Sequence, residues 1–312
     1  MKTLNIAIIG ECMVELQRQN NEIRQGFGGD TLNTAVYLAR QLPAEAGKVH
    51  YISALGTDSF SQSMIDAWEQ EQVDTSLVQR MSNKMPGLYF IETDATGERS
   101  FSYWRSDAAA KYWLESEQTD AVLSQLATMD VIYLSGISLA ILSLISRHRL
   151  FAFLTRFREQ GGKVVFDNNY RARLWLSQEE TRDCYQTMLK LTDIAFLTLD
   201  DEDALWGERP LDEVIQRTLN AGVSEVVIKR GASPCLVVCS HGLSDEIAAQ
   251  KIPAEKVIDT TAAGDSFSAG YLACRLAGGS VIDSAKQGHQ LAGTVIQYRG
   301  AIIPTEVMPV LS

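Results

Sequence analysis

The sequence predicts an α/β fold in which a mainly parallel sheet is covered by helices on both faces. Strand-like apolar runs alternate with helical patterns over most of the 312 residues. These runs are apolar at nearly every position, which is typical of parallel strands buried on both sides. Polar residues follow several of them, at the edge where open α/β sheets place their ligands. We find no low-complexity linker and no internal repeat, so one domain spanning 1–312 is expected.

Six apolar runs are expected to form the sheet. They cover residues 4–10, 49–56, 131–136, 163–169, 193–199 and 224–230. Helices are expected from Asp30 to about Arg40, around 60–71 and at about 140–159, where the pattern changes to helical spacing.

Residues 88–105 break this alternation. The segment LYFIET, the glycine-containing turn DATGER and the segment SFSYWR together indicate a β-hairpin. An inserted hairpin usually projects from the sheet, so we expect a small β lid made of about 88–105 and about 11–27, an oligomer contact, or both. The hairpin's aromatic residues could instead cover the core; they are Tyr89, Phe90, Phe101, Tyr103 and Trp104.

The composition excludes several classes of protein. Hydrophobic residues make up 46% and charged residues 21%, ordinary values for a globular chain with a large core. The net charge of −11 argues against a nucleic-acid or anionic-membrane partner, because both normally bind basic surfaces. The apolar start is too short for a signal peptide, no run is long enough to span a membrane, and the five cysteines are scattered. We therefore expect a cytoplasmic protein with reduced thiols.

The segment VIDTTAAGDSFSAGYLA (257–273) is the sharpest candidate site. Ala262, Ala263 and Gly264 are small enough to let a ligand approach the backbone at a helix start, where free N–H groups form an anion hole. Asp265 in the first turn could cap the helix, or it could be a general base that removes a hydroxyl proton. The residues alone leave both interpretations open.

Two further segments carry ligand-type residues. In QGFGGDTLNTAVYLAR (25–40), Gly29 precedes a helix that begins with Asp30 and Asn33. This is either a flexible loop with a helix cap or a backbone that closes on a polyhydroxylated ligand. No Walker A loop is present, and GFGGDT lacks the third glycine of a dinucleotide fingerprint.

The other segment, FDNNYRARLW (166–175), ends a strand with Asn168, Asn169 and Arg171 directed at the ligand crevice. Arg171 and Arg173 could simply be solvated, or they could bind a carboxylate or phosphate.

Together, GGD-x-x-N near the start, D-x-N-x-R in the middle and DTTAAGD in the last quarter resemble the ribokinase/PfkB family of sugar kinases. The resemblance implies a ribokinase-like three-layer sandwich with a small β lid, and phosphoryl transfer from ATP with Mg²⁺; a monovalent cation is a further possible cofactor. Within the family, YWR, NNYR and DTTAAGDSFSAGYL resemble the members that phosphorylate O6 of the sugar acid 2-dehydro-3-deoxygluconate (KDG).

The resemblance also implies roles for individual residues. Asp265 is the base, and Ala262, Ala263 and Gly264 form the anion hole. The residues expected on the sugar-acid side are Gly29, Asp30, Asn33, Tyr89, Tyr103, Arg105 and Arg171, with Asp265. The residues expected on the nucleotide side are Asn169, Lys229 and Gly231, with Ala263 and Gly264. Two arginines suit KDG because it carries a carboxylate, which a neutral sugar lacks.

Three departures from the family pattern stand out. Ala262 replaces the first glycine of the usual GAGD turn, and we expect it to be tolerated with a negative φ. Pro234 ends the nucleotide loop, which removes one N–H group. The magnesium motif falls on the acidic run 200–203, from which Asp200 and Asp203 are the candidate ligands; an ordinary acidic helix start is the alternative.

The expected protein is a sugar-acid kinase that binds ATP, acts in sugar-acid or uronate breakdown and pairs through its lids as a homo-oligomer. One alternative is a related kinase for fructose, ribose or a nucleoside. The other is a non-catalytic sugar-acid-binding protein on the same fold.

Overall fold

The computed structural model describes residues 2–19, 22–93 and 99–310. The strands in chain order are β1 (Leu4–Ile9), β2 (Met13–Gln19), β3 (Glu22–Gly28), β4 (Gly47–Ile52), β5 (Ala54–Leu55), β6 (Gln79–Arg80), β7 (Leu88–Thr93), β8 (Arg99–Trp104), β9 (Val131–Ser135), β10 (Lys163–Asp167), β11 (Ile194–Thr198), β12 (Glu225–Lys229), β13 (Cys235–Cys239) and β14 (Ser244–Ile247). The α-helices are α1 (Asp30–Gln41), α2 (Ser59–Gln70), α3 (Thr119–Leu126), α4 (Gly136–Ala140), α5 (Leu144–Glu159), α6 (Gln178–Lys190), α7 (Leu199–Trp206), α8 (Leu211–Asn220), α9 (Ala263–Leu276) and α10 (Val281–Val295).

Eight strands form the central sheet, in the order β14-β13-β12-β11-β10-β9-β1-β4. The strands from β4 to β12 pair in parallel, and β13 and β14 extend one edge antiparallel. Along β1, Ala7 and Ile9 face one apolar cluster while Ile6 and Ile8 face the other. Helices α5, α6 and α8 bury their apolar faces in the first cluster, and α1, α2, α9 and α10 do so in the second. The predicted three-layer α/β fold with a mainly parallel sheet is confirmed.

The helix expected at about 140–159 is α5, which begins at Leu144, and a separate short helix, α4, precedes it. Each starts at its own serine cap: the hydroxyl of Ser135 accepts from the N–H of Ser138, and that of Ser143 accepts from the N–H of Ser146. An N-cap residue has non-helical backbone angles, so a second cap interrupts the helix. The apolar pattern continues across the break and therefore did not reveal it.

A second, four-stranded sheet stands apart from the first, in the order β3-β2-β7-β8. Strands β7 and β8 pair antiparallel, as do β2 and β3, and β2 joins β7 in parallel. The turn predicted between the two hairpin strands falls on 94–98, which lie outside the described residues. Ile23, Phe101 and Trp104 expose 60%, 45% and 61% of their surface on this sheet. We refer to these four strands as the small sheet.

The structure bears on three further features: membrane-spanning helices, disulfides and metal-binding clusters. Among the described helices, none combines the length and the apolar character that crossing a bilayer requires. All five cysteines are free and buried, and the part of the chain that the structure describes contains no group of three or more His, Cys, Asp or Glu residues placed to hold a metal ion.

Candidate active site

A cavity of about 520 Å³ lies between the carboxyl edge of the central sheet and the small sheet. It brings together residues from all three motifs although they are far apart in sequence. Of the predicted site residues, those that line it are Gly29, Asp30, Asn33, Tyr89, Tyr103, Asn169, Arg171, Asp200, Lys229, Ala262, Ala263, Gly264 and Asp265. Arg105, Asp203 and Gly231 are not among the residues that line it.

The start of helix α9 forms one wall of the cavity. Its N-cap is Ala262, which has no side-chain cap, and the carboxylate of Asp265 instead accepts a 2.8 Å hydrogen bond from Nδ2 of Asn33. The interpretation of Asp265 as a helix cap is therefore wrong. The N–H of Ala263 donates to the carbonyl of Thr260 at 3.2 Å. The N–H groups of Gly264 and Asp265 also lie in the first turn, where an α-helix supplies no acceptor, so they are the groups that could donate to a bound anion.

Ala262 does not have the negative φ expected for it. Its φ is 61°, in the left-handed region that favours glycine. An alanine there costs about 1–2 kcal/mol because its Cβ approaches the following carbonyl oxygen. The turn thus keeps the backbone shape suited to glycine while carrying an alanine.

The environment of Asp265 favours a proton acceptor that works near neutral pH. Burial raises its pKa to about 7, and the negative charges of Asp30 and Asp167 act in the same direction. The hydrogen bond from Asn33 and the charge of Lys229 lower it, but by less. A general base is most effective when its pKa lies near the working pH.

The glycine loop approaches its neighbours so closely that side chains are excluded. A Cβ on Gly29 would lie 2.3 Å from the carbonyl oxygen of Glu11, and one on Gly28 would lie 2.1 Å from the hydroxyl oxygen of Tyr89. This close packing presents the first turn of α1 to the cavity. Oδ1 of Asn33 is buried there without a hydrogen-bond partner among the described atoms, although its amide nitrogen is bonded. An unpaired buried acceptor of this kind suits a ligand hydroxyl.

Asp30 and Asn169 connect two of the motifs. Nδ2 of Asn169 donates to Oδ2 of Asp30 at 2.6 Å, and burial raises the pKa of the Asp30 carboxyl. The backbone of Asn169 has a φ of 22°. Its N–H donates to the side-chain oxygen of Asn168, which holds this turn in place at the carboxyl end of β10.

Asp167 is a site residue to which the sequence reasoning assigned no role. It is the first residue of D-x-N-x-R, it lines the cavity, and its Oδ2 accepts from Lys229 Nζ at 2.7 Å and from Ser268 Oγ at 2.9 Å. Its position at the carboxyl end of a strand was the signal that could have identified it. Nζ of Lys229 would lie 3.5 Å from a Cβ placed on Gly264, so its positive charge sits close to the helix start.

The two predicted substrate arginines are both paired with carboxylates. Arg171 donates to Asp201 at 3.1 Å and lies at the cavity surface. Arg105 forms an ion pair with Glu11, whose side chain is 1% exposed. Burial raises the pKa of Glu11, and the charge and hydrogen bond of Arg105 oppose that rise.

The acidic run divides between the cavity and the interior. Asp200 and Asp201 line the cavity, whereas Glu202 is buried and accepts from Asn168 Nδ2 at 3.0 Å. Mg²⁺ in phosphoryl-transfer sites is usually held by one or two carboxylates together with phosphates and water. Asp200 and Asp201 line the cavity and could meet that requirement, whereas Asp203, the other expected ligand, is not among the lining residues.

The nucleotide loop follows β12 at Gly231, whose φ is 59°. A Cβ there would meet no atom within 4 Å, so its surroundings are open. Gly231 is not among the residues that line the cavity.

Comparison with known proteins agrees with this geometry. Residues 3–308 match the model of the "pfkB family carbohydrate kinase". The chain is 66% identical to "2-dehydro-3-deoxygluconokinase" of Escherichia coli (strain K12) over 97% of its length and 98% of the relative. It is 43% identical to the protein of the same name from Haemophilus influenzae, over 96% of this chain and 95% of the relative.

Among solved structures, the PfkB protein from Polaromonas sp. JS666 superposes with a TM-score of 0.81 and 25% identity, covering 95% of this chain and 96% of that one. The match covers nearly the whole of both chains. The chain belongs to the pfkB family of carbohydrate kinases.

Proposed function

We propose that this chain is a KDG kinase, which transfers the γ-phosphoryl group of ATP to O6 of 2-dehydro-3-deoxygluconate. The products are 2-dehydro-3-deoxy-6-phosphogluconate and ADP, and the reaction serves sugar-acid or uronate breakdown. The observation that carries the proposal is Asp265, a carboxylate with a pKa of about 7 beside free helix N–H groups. The 66% identity to a 2-dehydro-3-deoxygluconokinase supports the choice of acceptor.

The chemistry follows from the positions of these groups. Asp265 accepts the proton of the primary hydroxyl as its oxygen bonds to phosphorus and the bond to the ADP oxygen breaks. The N–H groups of Gly264 and Asp265 stabilise the charge on the transferring group, and Lys229 adds a positive charge nearby. Mg²⁺, when bound, neutralises phosphate charge, and Asp200 and Asp201 would hold it through its water shell.

The acceptor side combines polar and aromatic groups. Oδ1 of Asn33 is the free acceptor for a sugar hydroxyl, and Tyr89 and Tyr103 line the same cavity. Arg171 and Arg105 are the cations proposed for the carboxylate of KDG, although each is also bonded to a carboxylate of the protein. Pairing with Asp201 and Glu11 holds each guanidinium in one orientation while leaving further N–H donors.

The remaining parts of the proposal concern the nucleotide, the ions and the assembly. Asn169 and Gly231 are proposed to contact the nucleotide. A monovalent cation is proposed as a further cofactor, which is tested by replacing K⁺ with a large organic cation and measuring activity.

The small sheet is proposed to act as a lid within a single domain and to pair with the small sheet of a second copy of the chain. A cytoplasmic location agrees with the use of ATP and with five unpaired cysteines.

The decisive test is an ADP-release assay with Mg·ATP and a panel of acceptors: KDG, gluconate, fructose, ribose and adenosine. We expect a strong preference for KDG, because only KDG and gluconate carry a carboxylate and KDG matches the named relatives. A preference for fructose, ribose or adenosine would contradict KDG as the acceptor but would still support kinase activity. ADP release with none of them would favour the non-catalytic alternative.

A further inference from the structure

Arg173 makes a contact that the proposed reaction does not use. It lies in the short 3₁₀ turn Ala172–Leu174, which follows β10 in the main body. The centre of its guanidinium lies 4.0 Å from the centre of the Tyr103 ring, on strand β8 of the small sheet. This distance is well within the roughly 6 Å over which a cation attracts an aromatic face.

No competing partner explains the position of Arg173. Within the described ranges it forms no ion pair and no hydrogen bond, whereas Arg171, two residues earlier, is bonded to Asp201. An exposed arginine free of a carboxylate normally extends into water. Its placement over Tyr103 therefore shows where the turn and the small sheet attract each other.

Tyr103 is the central ring of an aromatic stack that covers the cavity on the side of the small sheet. Its ring centre lies 5.9 Å from that of Tyr89 and 6.3 Å from that of Phe101, and both pairs are nearly parallel. All three rings line the cavity. A contact that fixes the position of Tyr103 therefore also keeps the stacked rings over the site proposed for the acceptor.

This contact also crosses from the main body to the small sheet. The small sheet shares no strand pairing with the central sheet. Among the described residues, Arg173 with Tyr103 is the single cation–π pair that joins the small sheet to the main body; Arg18 with Phe90 lies within the small sheet.

We propose that Arg173 is a positioning residue that holds the small sheet closed over the bound sugar acid through the face of Tyr103. This rests on the proposed function for its substrate. Closure excludes water and encloses the acceptor, so the contact contributes to acceptor binding and not to the phosphoryl-transfer step. A cation–π pair at an exposed site changes an equilibrium constant about two- to fivefold.

The kinetic test compares Arg173→Gln with Arg18→Gln. Both variants remove a guanidinium from an aromatic ring, but only the first contact crosses to the main body. We expect Arg173→Gln to raise the KM for KDG about two- to fivefold, with kcat and the KM for ATP unchanged, and Arg173→Lys to give a smaller rise. Arg18→Gln is expected to match the unsubstituted enzyme. An unchanged KM in Arg173→Gln, or an equal rise in Arg18→Gln, would overturn the proposal.

A double-mutant cycle with Tyr103→Leu separates this role from direct substrate binding. If Arg173 acts through the ring, Arg173→Gln adds no further rise in KM once the ring is gone. An undiminished additional rise would show that Arg173 binds the sugar acid itself, and the proposal would be wrong.

Hydrogen–deuterium exchange of the free protein gives a readout that does not depend on the acceptor. We expect Arg173→Gln to accelerate exchange in 99–104 about two- to fivefold, and Arg18→Gln to leave that strand unchanged. If the unsubstituted enzyme is inactive on KDG but Arg173→Gln still accelerates exchange, the proposed function is contradicted and the proposed contact is supported. If the unsubstituted enzyme phosphorylates KDG but Arg173→Gln does not accelerate exchange, the proposed function is supported and the proposed contact is contradicted.

Discussion

Asp265 acquires its proposed role from neighbours that are remote in sequence. Asn33 orients one carboxylate oxygen, Asp30 and Asp167 raise the pKa, and the small residues before Asp265 leave its backbone N–H open to a ligand. A carboxylate in this setting can accept a proton near pH 7, whereas an ordinary exposed aspartate is too weak a base.

Replacing Asp265 with Asn tests the base directly. We expect turnover to fall about 10²–10⁴-fold, since the amide cannot accept the hydroxyl proton. Binding of ATP, measured by calorimetry, is expected to stay close to that of the unsubstituted enzyme. Asp212→Asn is the matched control, because it removes an exposed carboxylate on α8, away from the cavity. Near-normal turnover of Asp265→Asn would refute the assignment.

The pH profile offers a second test of the same group. Because the proton acceptor must be ionised and its pKa is about 7, kcat is expected to fall roughly tenfold per pH unit on the acid side of neutrality. Steady-state rates between pH 5 and 9 would measure this. A flat profile down to pH 5 would show that Asp265 does not limit the rate by its ionisation.

Asp265 should also cost the enzyme stability. Its folded-state pKa is raised above the unfolded value, so the charged carboxylate is disfavoured by folding and stability is lost as pH rises from about 4 to 7. Asp265→Asn is therefore expected to raise the free energy of unfolding by about 1–3 kcal/mol at pH 8 and to have no such effect below pH 4. Urea denaturation at the two pH values would measure it, and a destabilised variant at pH 8 would contradict it.

The small sheet is tied to its base by Arg105 and Glu11. Glu11 lies in the connection between β1 and β2, and Arg105 directly follows β8, so the ion pair joins the two places where this sheet leaves the main body. Oε1 of Glu11 is buried without a hydrogen bond within the described part of the chain, which makes the pair costly to break.

Arg105→Ala is expected to have two effects. It should weaken KDG binding, because a proposed carboxylate partner is lost, and it should lower the free energy of unfolding by about 3–5 kcal/mol, because Glu11 keeps a buried unpaired charge. Adding Glu11→Gln should restore part of the stability but not the KDG affinity. Calorimetry and urea denaturation distinguish the two effects. Unchanged stability in Arg105→Ala would show that the pair contributes little.

At the level of the elements, five of the six runs expected in the central sheet match their strands within two residues, because these strands are buried on both faces and therefore apolar throughout. The run 49–56 instead covers two strands, β4 of the central sheet and the short β5 outside it. The break between α4 and α5 was not predicted, since Ser143 interrupts the backbone without interrupting the apolar pattern. Strand β14 also escaped prediction: SDEI carries a single apolar residue because it lies at the sheet edge.

The whole molecule places the apolar outer side of the small sheet in solvent. Ile23 and Trp104 remain largely exposed in one copy of the chain. Such a surface on a β-sheet is typical of a protein interface. This supports the proposed pairing of two lids.

The assembly is tested by size-exclusion chromatography with light scattering. At micromolar concentration we expect at least a dimer, and Trp104→Glu is expected to shift it toward the monomer, because it places a charge in the apolar contact. Glu213→Lys, an exposed charge change on α8 and away from the small sheet, is the control. A monomeric unsubstituted protein would contradict the proposed pairing.

The sequence alone was sufficient for the three-layer fold, the three motifs and the resemblance to the kinase family, because these depend on local patterns: apolar periodicity, small residues at a helix start and polar residues at strand ends. It did not determine the positive φ of Ala262, the role of Asp167 or the pairing of Arg105 with Glu11. These depend on groups from distant segments meeting where little water remains. There, burial and neighbouring charges set hydrogen bonding and pKa values, and no local pattern encodes them.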